Sequence, residues 1–205
     1  MRNTRVLVAD AGSSDGTVEI VQGFADRLQV EVIPGGLPSV GRNAGARQAQ
    51  TRYVLFLDAD MELADPTLVR RAVELANRKR LHCVTTNVAC RAGGFADHLL
   101  YFCNNLVQRG SRWFGQPFST GMFMLFERQR FHELGGFDEG ALYAEDYLLS
   151  KKVGFRRFRV VGGKVLTTNR RFQKMGHLKI ARMFVVTALN SRNHGYFLRD
   201  HKYWQ

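Results

Sequence analysis

The chain has 205 residues, enough for one domain with a real core. Its 20 glycines suit a turn-rich α/β protein, and no apolar run is long enough to cross a bilayer. Three cysteines, Cys83, Cys90 and Cys103, are odd in number and lack CxxC spacing, which excludes a zinc centre or disulfide frame and suits reduced thiols in a cytoplasmic protein. The net charge is +12: residues 151–205 hold 14 Lys/Arg against one acid, Asp200, while residues 1–150 are near balance. That asymmetry fits either a polyanionic partner or a solvated basic face.

In chain order, Arg5–Asp10 reads as a strand, and the opening MRNTRVLVADAG reaches Asp10 too soon for a secretory signal. Thr17–Leu28 is predicted as a helix with Val18, Ile20, Val21 and Phe24 on its apolar side, and Gln29–Ile33 as the second strand. PGGLPSVG is a loop and Ser39–Gln50 a helix. Tyr53–Leu57 is the third strand, Pro66–Lys79 a helix with proline in its first turn, and His82–Ala89 the fourth strand. Phe95–Arg109 is a helix with an aromatic and aliphatic face, Gly121–Phe126 a buried strand and Arg128–Leu134 a short helix. Glu145–Val153 is helical, Phe158–Val161 and Lys164–Thr168 are extended, and His177–Asn190 is a basic amphipathic helix. Strands alternating with helices argue for βα units in a largely parallel sheet, whose ligands collect beyond the carboxyl ends of its strands. There Asp10, the loop before Arg42, and the pair Asp58 and Asp60 should converge.

The stretch YVLFLDADMEL ends a strand in two carboxylates. Such a pair suits a hard divalent cation, or it is simply a solvated turn before the helix that Asp65-Pro66 opens. ADAGSSDGTVEIV and GRNAGA, each alone, are capped helix starts. Taken in order with LDAD, FERQRFHELGGFDE, AEDYLLSKKVG and TTNRRFQKMG, they make a specific series. It resembles the family 2 glycosyltransferases of the GT-A fold along nearly the whole chain.

The resemblance implies a Rossmann-like, mostly parallel sheet flanked by helices, a single catalytic domain over residues 1–205, and a basic C-terminal helix. It also implies roles at matching positions. Asp10 matches the aspartate on the nucleotide base, and Arg42 the arginine contacting the nucleotide; Asp15 joins them in substrate binding. Asp58 and Asp60 match the DxD motif, the first facing the ribose and the last holding a divalent ion, Mn or Mg, on the donor diphosphate. Asp146 matches the catalytic base of inverting members, with Glu145 orienting the site. Arg170 and Arg171 resemble the basic residues near the diphosphate or acceptor end, and GGFDE shapes the acceptor-side loop. The chemistry agrees: a leaving diphosphate needs positive charge, and a weakly nucleophilic hydroxyl needs a carboxylate to take its proton. His177 and His194 read as structural or solvated.

The implied partners are a UDP- or GDP-linked sugar and a glycan or lipid-linked acceptor. An anionic membrane is a further candidate partner: the apolar flank of residues 177–190, followed by Arg192, Tyr196, Phe197, Arg199, Lys202, Tyr203 and Trp204, suits peripheral seating at its inner face. No nucleic-acid-binding motif is present. One departure stands out. Members open with a strand of the type xVSVIIPxxNE and a helix, both missing before Arg5. In the family that strand lies between those matching Val6–Ala9 and Val54–Leu57. Its loss leaves unpaired backbone groups, so the expectation divides between a misassigned start, a fragment and a sheet closed differently. The alternative function is a non-catalytic remnant that binds nucleotide or acts as a scaffold.

Overall fold

The computed structural model describes residues 4–201, so Lys202, Tyr203 and Trp204 of the expected basic tail lie outside the described residues. The strands are β1 (Arg5–Asp10), β2 (Gln29–Pro34), β3 (Tyr53–Leu57), β4 (Cys83–Cys90), β5 (Phe123–Glu127) and β6 (Phe158–Thr167). The helices are α1 (Thr17–Gln22), α2 (Pro38–Gln48), α3 (Leu68–Lys79), α4 (Phe95–Gly110), α5 (Arg128–Glu133), α6 (Glu145–Ser150), α7 (Arg170–Met175), α8 (His177–Leu189) and α9 (His194–Phe197).

The strands form two sheets, a parallel pair β1-β2 and a four-stranded sheet in the order β3-β5-β4-β6. β5 is antiparallel to both β3 and β4, and β6 is parallel to β4, so only β5 runs against the common direction of the larger sheet. The division leaves β1 and β3 each with pairing on one edge only among the described residues. Helix α2 packs across the division: Gly41 lies against Ala9 of β1, while Ala46 is buried in the cluster that contains Phe56 of β3.

β5 explains the layering. Its residues FMLFE are buried on both faces, as expected for a strand in the middle of a covered sheet. Met124 and Phe126 point to one side, into a core with Phe56, Phe131, Phe137 and Leu149; Phe123 and Leu125 point to the other, against Leu68, Ala72, Val84 and Val165. Helices α5 and α6 therefore cover one face and α3 the other.

Four elements differ from the sequence expectation. Helix α1 stops at Gln22, with Gly23 at its C-cap, and residues 23–27 form turns that reverse the chain into β2. The two extended pieces expected around Gly162-Gly163 are one strand, β6, whose register against β4 shifts between Thr86 and Asn87. Residues Arg170–Met175 are helical, as are His194–Phe197. Helix α8 buries Ile180 but leaves Leu178, Val185 and Leu189 exposed, so only part of its apolar flank packs on the domain. No helix of the described residues is long and apolar enough to cross a membrane, and all three cysteines are free, with Cys103 exposed.

Candidate active site

Strand β3 ends at Leu57, and the next residue, Asp58, is where α2, β3 and α6 meet. The guanidinium of Arg42, in the second turn of α2, donates from Nη2 to Asp58 Oδ1 at 2.5 Å and from Nη1 to Glu145 Oε1 at 2.6 Å. Burial works against the arginine's charge, but Asp58 and Glu145 outweigh it and hold the pKa above its ordinary value. One face of the guanidinium lies over the Phe137 ring, 5.3 Å from its centroid. Phe137 is itself clamped by Asn43, which donates Nδ2 to the Phe137 carbonyl at 2.8 Å and accepts the Phe137 N–H on Oδ1 at 3.0 Å. Gly136, with φ +67°, makes this possible, because a Cβ there would stand 2.8 Å from Asn43 Oδ1.

Asp146 sits beside this pair. Its Oδ2 accepts the Gly121 N–H at 2.5 Å and its Oδ1 accepts the Tyr147 N–H at 2.7 Å. Gly121 also backs onto Arg42: a Cβ there would be 2.6 Å from Nη2, so a larger residue would have to displace the guanidinium from its two carboxylates. Asp146 keeps some contact with solvent, yet the surrounding protein strips enough hydration to raise its pKa, against the pull of Arg42 and its two backbone donors. Glu145 is more enclosed. Burial, and then the neighbouring Asp146, push it up to about 7 despite Arg42.

The other expected residues occupy the rim. Asp60 reaches Arg170 Nη2 at 3.8 Å in a loose, exposed pair. The segment after β3 is tied to β6 by reciprocal backbone bonds between Glu62 and Leu166, which brings α7 and its arginines alongside the DxD stretch. Tyr101 of α4 stands within electrostatic range of both Asp60 and Arg171. Asp10, at the tip of β1, accepts N–H donations from Gly12 and Ser13, both at 2.9 Å, and the Ser13 bonds hold it below the usual carboxylate range. Asp15 spends its Oδ1 on the Thr17 hydroxyl and N–H at the start of α1. His177 is structural in its contacts, paired at 2.6 Å with the buried Asp97 of α4, and His194 lies 3.3 Å from Asp138.

Thus the structure joins Arg42, Asp58 and Glu145 directly, sets Asp146 within electrostatic range of Arg42, and pairs Asp60 with Arg170. No direct contact joins Asp10 or Asp15 to that cluster, although the carboxyl end of β1 touches α2 one residue before Arg42. Sequence reasoning missed Asn43 and Gly121. Asn43 lay inside the GRNAGA stretch, but nothing local marks it as a clamp for a loop 94 residues away. Gly121 carries no signal beyond being a glycine before a strand.

In an α/β fold, carboxylates gathered beyond the carboxyl ends of strands mark the place where ligands collect. The sequence matches the family described as Glycosyl transferase family 2 over residues 1–135, and the chain belongs to that family. It is 31% identical over 74 residues to an uncharacterized glycosyltransferase of Haemophilus influenzae, a match covering 34% of this chain and 30% of that protein. Its fold is similar to that of the mannosyltransferase PcManGT from Pyrobaculum calidifontis, solved with GDP-Man and Mn2+, at TM-score 0.61 and 19% identity. That match covers 88% of this chain and 55% of the other. S. aureus TarS, residues 1–349, gives TM-score 0.59 at 18% identity over 91% of this chain and 56% of the other; the same protein was also solved with UDP-GlcNAc. The chain therefore spans about half the length of the solved proteins it resembles.

Proposed function

We propose that this chain forms the donor-binding and catalytic part of an inverting glycosyltransferase, moving a sugar from a nucleotide-diphosphate sugar to an acceptor hydroxyl. The observation carrying this reading is the Arg42 bridge between Asp58 and Glu145, with Asp146 held alongside by Gly121. Asp146 is the base: its raised pKa and half-open setting suit a carboxylate that takes the acceptor's proton as attack proceeds. Arg42 has both terminal nitrogens committed to carboxylates, so it orders the donor-side Asp58 and holds Glu145 next to the base. Asp10 serves the nucleotide base, and Arg170 and Arg171 the leaving diphosphate.

A divalent ion, Mn or Mg, fits the donor set. The described residues hold no cluster of three or more metal-ligating side chains, but such ions commonly take one or two carboxylates and complete their shell with phosphate oxygens and water. Asp60, exposed and only loosely paired, is the carboxylate that would hold it. When bound, the ion would offset charge on the departing diphosphate. The donor is UDP- or GDP-linked, and the acceptor is a glycan or lipid-linked hydroxyl. A second reading, a remnant that binds nucleotide without turnover, draws on the divided sheet.

The test is a thermal-shift panel of UDP- and GDP-sugars with and without manganese, joined to release of nucleoside diphosphate. One donor with manganese should raise the melting temperature, and Asp60→Ala should remove the manganese-dependent part. Asp146→Asn should keep the shift while release falls roughly a hundredfold or more. A full manganese-dependent shift in Asp60→Ala would refute the metal assignment. Unchanged release in Asp146→Asn would refute the base, and donor binding without any release would favour the remnant.

A further inference from the structure

At 3.6 residues per turn, Phe95, Leu99, Phe102 and Leu106 of α4 fall on one face. The opposite face turns inward, carrying Asp97, Tyr101 and Gln108. The four apolar side chains stay 83, 46, 58 and 53% exposed, and the turn after the helix adds Trp113 at 75% and Phe114 at 85%. A continuous row of large exposed apolar groups marks an interaction surface rather than ordinary scatter.

The charges around it that lack an ion-pair partner are of one sign. Between residues 91 and 126 the only acid is Asp97, which is buried and paired with His177. Arg112 lies over the Trp113 ring at 4.4 Å, and its charge also reaches Arg159. Among the described residues, Arg109, Arg112, Arg159 and Lys164 form no ion pair, although Arg109 bonds Asn87 and Arg159 bonds backbone carbonyls. Arg109 and Lys164 line a cleft of about 480 Å³ together with Phe102 and Leu106. A partner here must be apolar enough to receive aromatic rings and anionic enough to neutralise the arginines. A second copy of this chain, at net +12, would present the same unpaired cations.

We propose that the exposed face of α4 and the turn carrying Trp113 and Phe114 seat the protein on an anionic phospholipid bilayer. The aromatic rings enter the boundary between headgroups and acyl chains, and Arg109, Arg112 and Lys164 face the phosphates. This surface differs from the α8 flank and C-terminal tail that the sequence suggested, and it does not rest on the sugar-transfer reading.

The test is flotation of the 205-residue chain with vesicles of phosphatidylglycerol and phosphatidylcholine, against phosphatidylcholine alone. A Trp204→Phe background leaves Trp113 as the sole tryptophan, so its emission and its quenching by brominated lipid report insertion. Flotation with the anionic vesicles, a blue shift and quenching are expected. Trp113→Ser with Phe114→Ser should weaken binding roughly tenfold or more, with an unchanged melting temperature. No flotation with anionic vesicles overturns the proposal. So does flotation undiminished in the double variant, or Trp113 emission unshifted by the vesicles in the single-tryptophan parent; either would mean adsorption by charge through another surface. Self-association in sedimentation velocity that the double variant abolishes would assign the face to a second copy and overturn it too. Donor-dependent thermal shifts, read on the same samples, report separately on the proposed function.

Discussion

Glu145 is the residue whose setting makes the sharpest demand on pH. It is nearly closed to solvent and adjoins a second carboxylate, Asp146, and these two causes carry its pKa from 4.5 to about 7 against the pull of Arg42. A carboxyl that binds its proton more tightly in the folded chain stabilises the fold most below 4.5, and that contribution is lost as pH rises through about 7. Asp146 shifts in the same direction, so the two act together. The melting temperature of the unmodified protein should therefore carry a downward component between pH 5 and 7.5. Glu145→Gln, which keeps an acceptor for Arg42 without the titration, should flatten it by roughly 3 °C or more. Identical profiles for the two proteins across that window would show that Glu145 titrates normally. Asp10, with its lowered pKa, acts in a lower range and does not confuse the reading.

Among the elements, the segment between α4 and β5 does most to place the base. Beyond one 3-10 turn at Ser111–Phe114 it has no regular structure, yet its backbone is held by side chains from three elements. Phe118 N–H donates to Ser111 Oγ at 2.8 Å, Ser119 N–H to Ser150 Oγ at 3.2 Å, and Thr120 N–H to Gln108 Oε1 at 3.2 Å. Gln108 is fully buried, and its Nε2 also donates to the Thr86 carbonyl of β4 at 2.7 Å. One side chain thus joins α4, β4 and the residue just before Gly121. Gln108→Leu would leave two enclosed backbone groups unpaired, each costing roughly 1–3 kcal/mol. The expected loss is about 2 kcal/mol or more, read from the urea midpoint. Nucleoside diphosphate release should fall as well under conditions where the variant is fully folded, because Gly121 loses its neighbour's anchor. A midpoint equal to that of the unmodified protein would show that this glutamine is dispensable.

Over the whole molecule, stability is unevenly shared. The four-stranded sheet carries two dense cores, and β5 is buried along nearly its full length. The β1-β2 pair contributes one fully buried residue, Ile33, and communicates with the larger sheet through α2. Regions with few buried apolar groups open at lower free energy than the core. Amides of β1 and β2 should therefore exchange faster than those of β4 and β5 in hydrogen–deuterium exchange. A donor that engages Asp10 should narrow the difference by tying the pair to the site. Equal protection of the two sheets without ligand would mean that they unfold as one unit.

The alternation of strand-forming runs and helical patterns was enough to define an α/β chain, because side-chain periodicity is a local property. Asp58, Asp60, Glu145 and Asp146 stood out for the same reason: acids at the tip of a strand or the start of a helix break an otherwise apolar context. The sequence also sufficed for family membership, through the order of its motifs. Only tertiary structure decided which partners those acids take. Nothing local says that Arg42 spans Asp58 and Glu145, or that Asn43 clamps Phe137, since both depend on segments far apart in sequence being brought together. The antiparallel entry of β5 and the division of the strands into two sheets were likewise beyond periodicity, which gives a strand's existence but neither its direction nor its neighbours. The exposed row on α4 follows the same logic. An apolar face in sequence normally packs inward, and only the completed packing, with Asp97, Tyr101 and Gln108 turned to the core, reveals that Phe95, Phe102 and Leu106 were left outside.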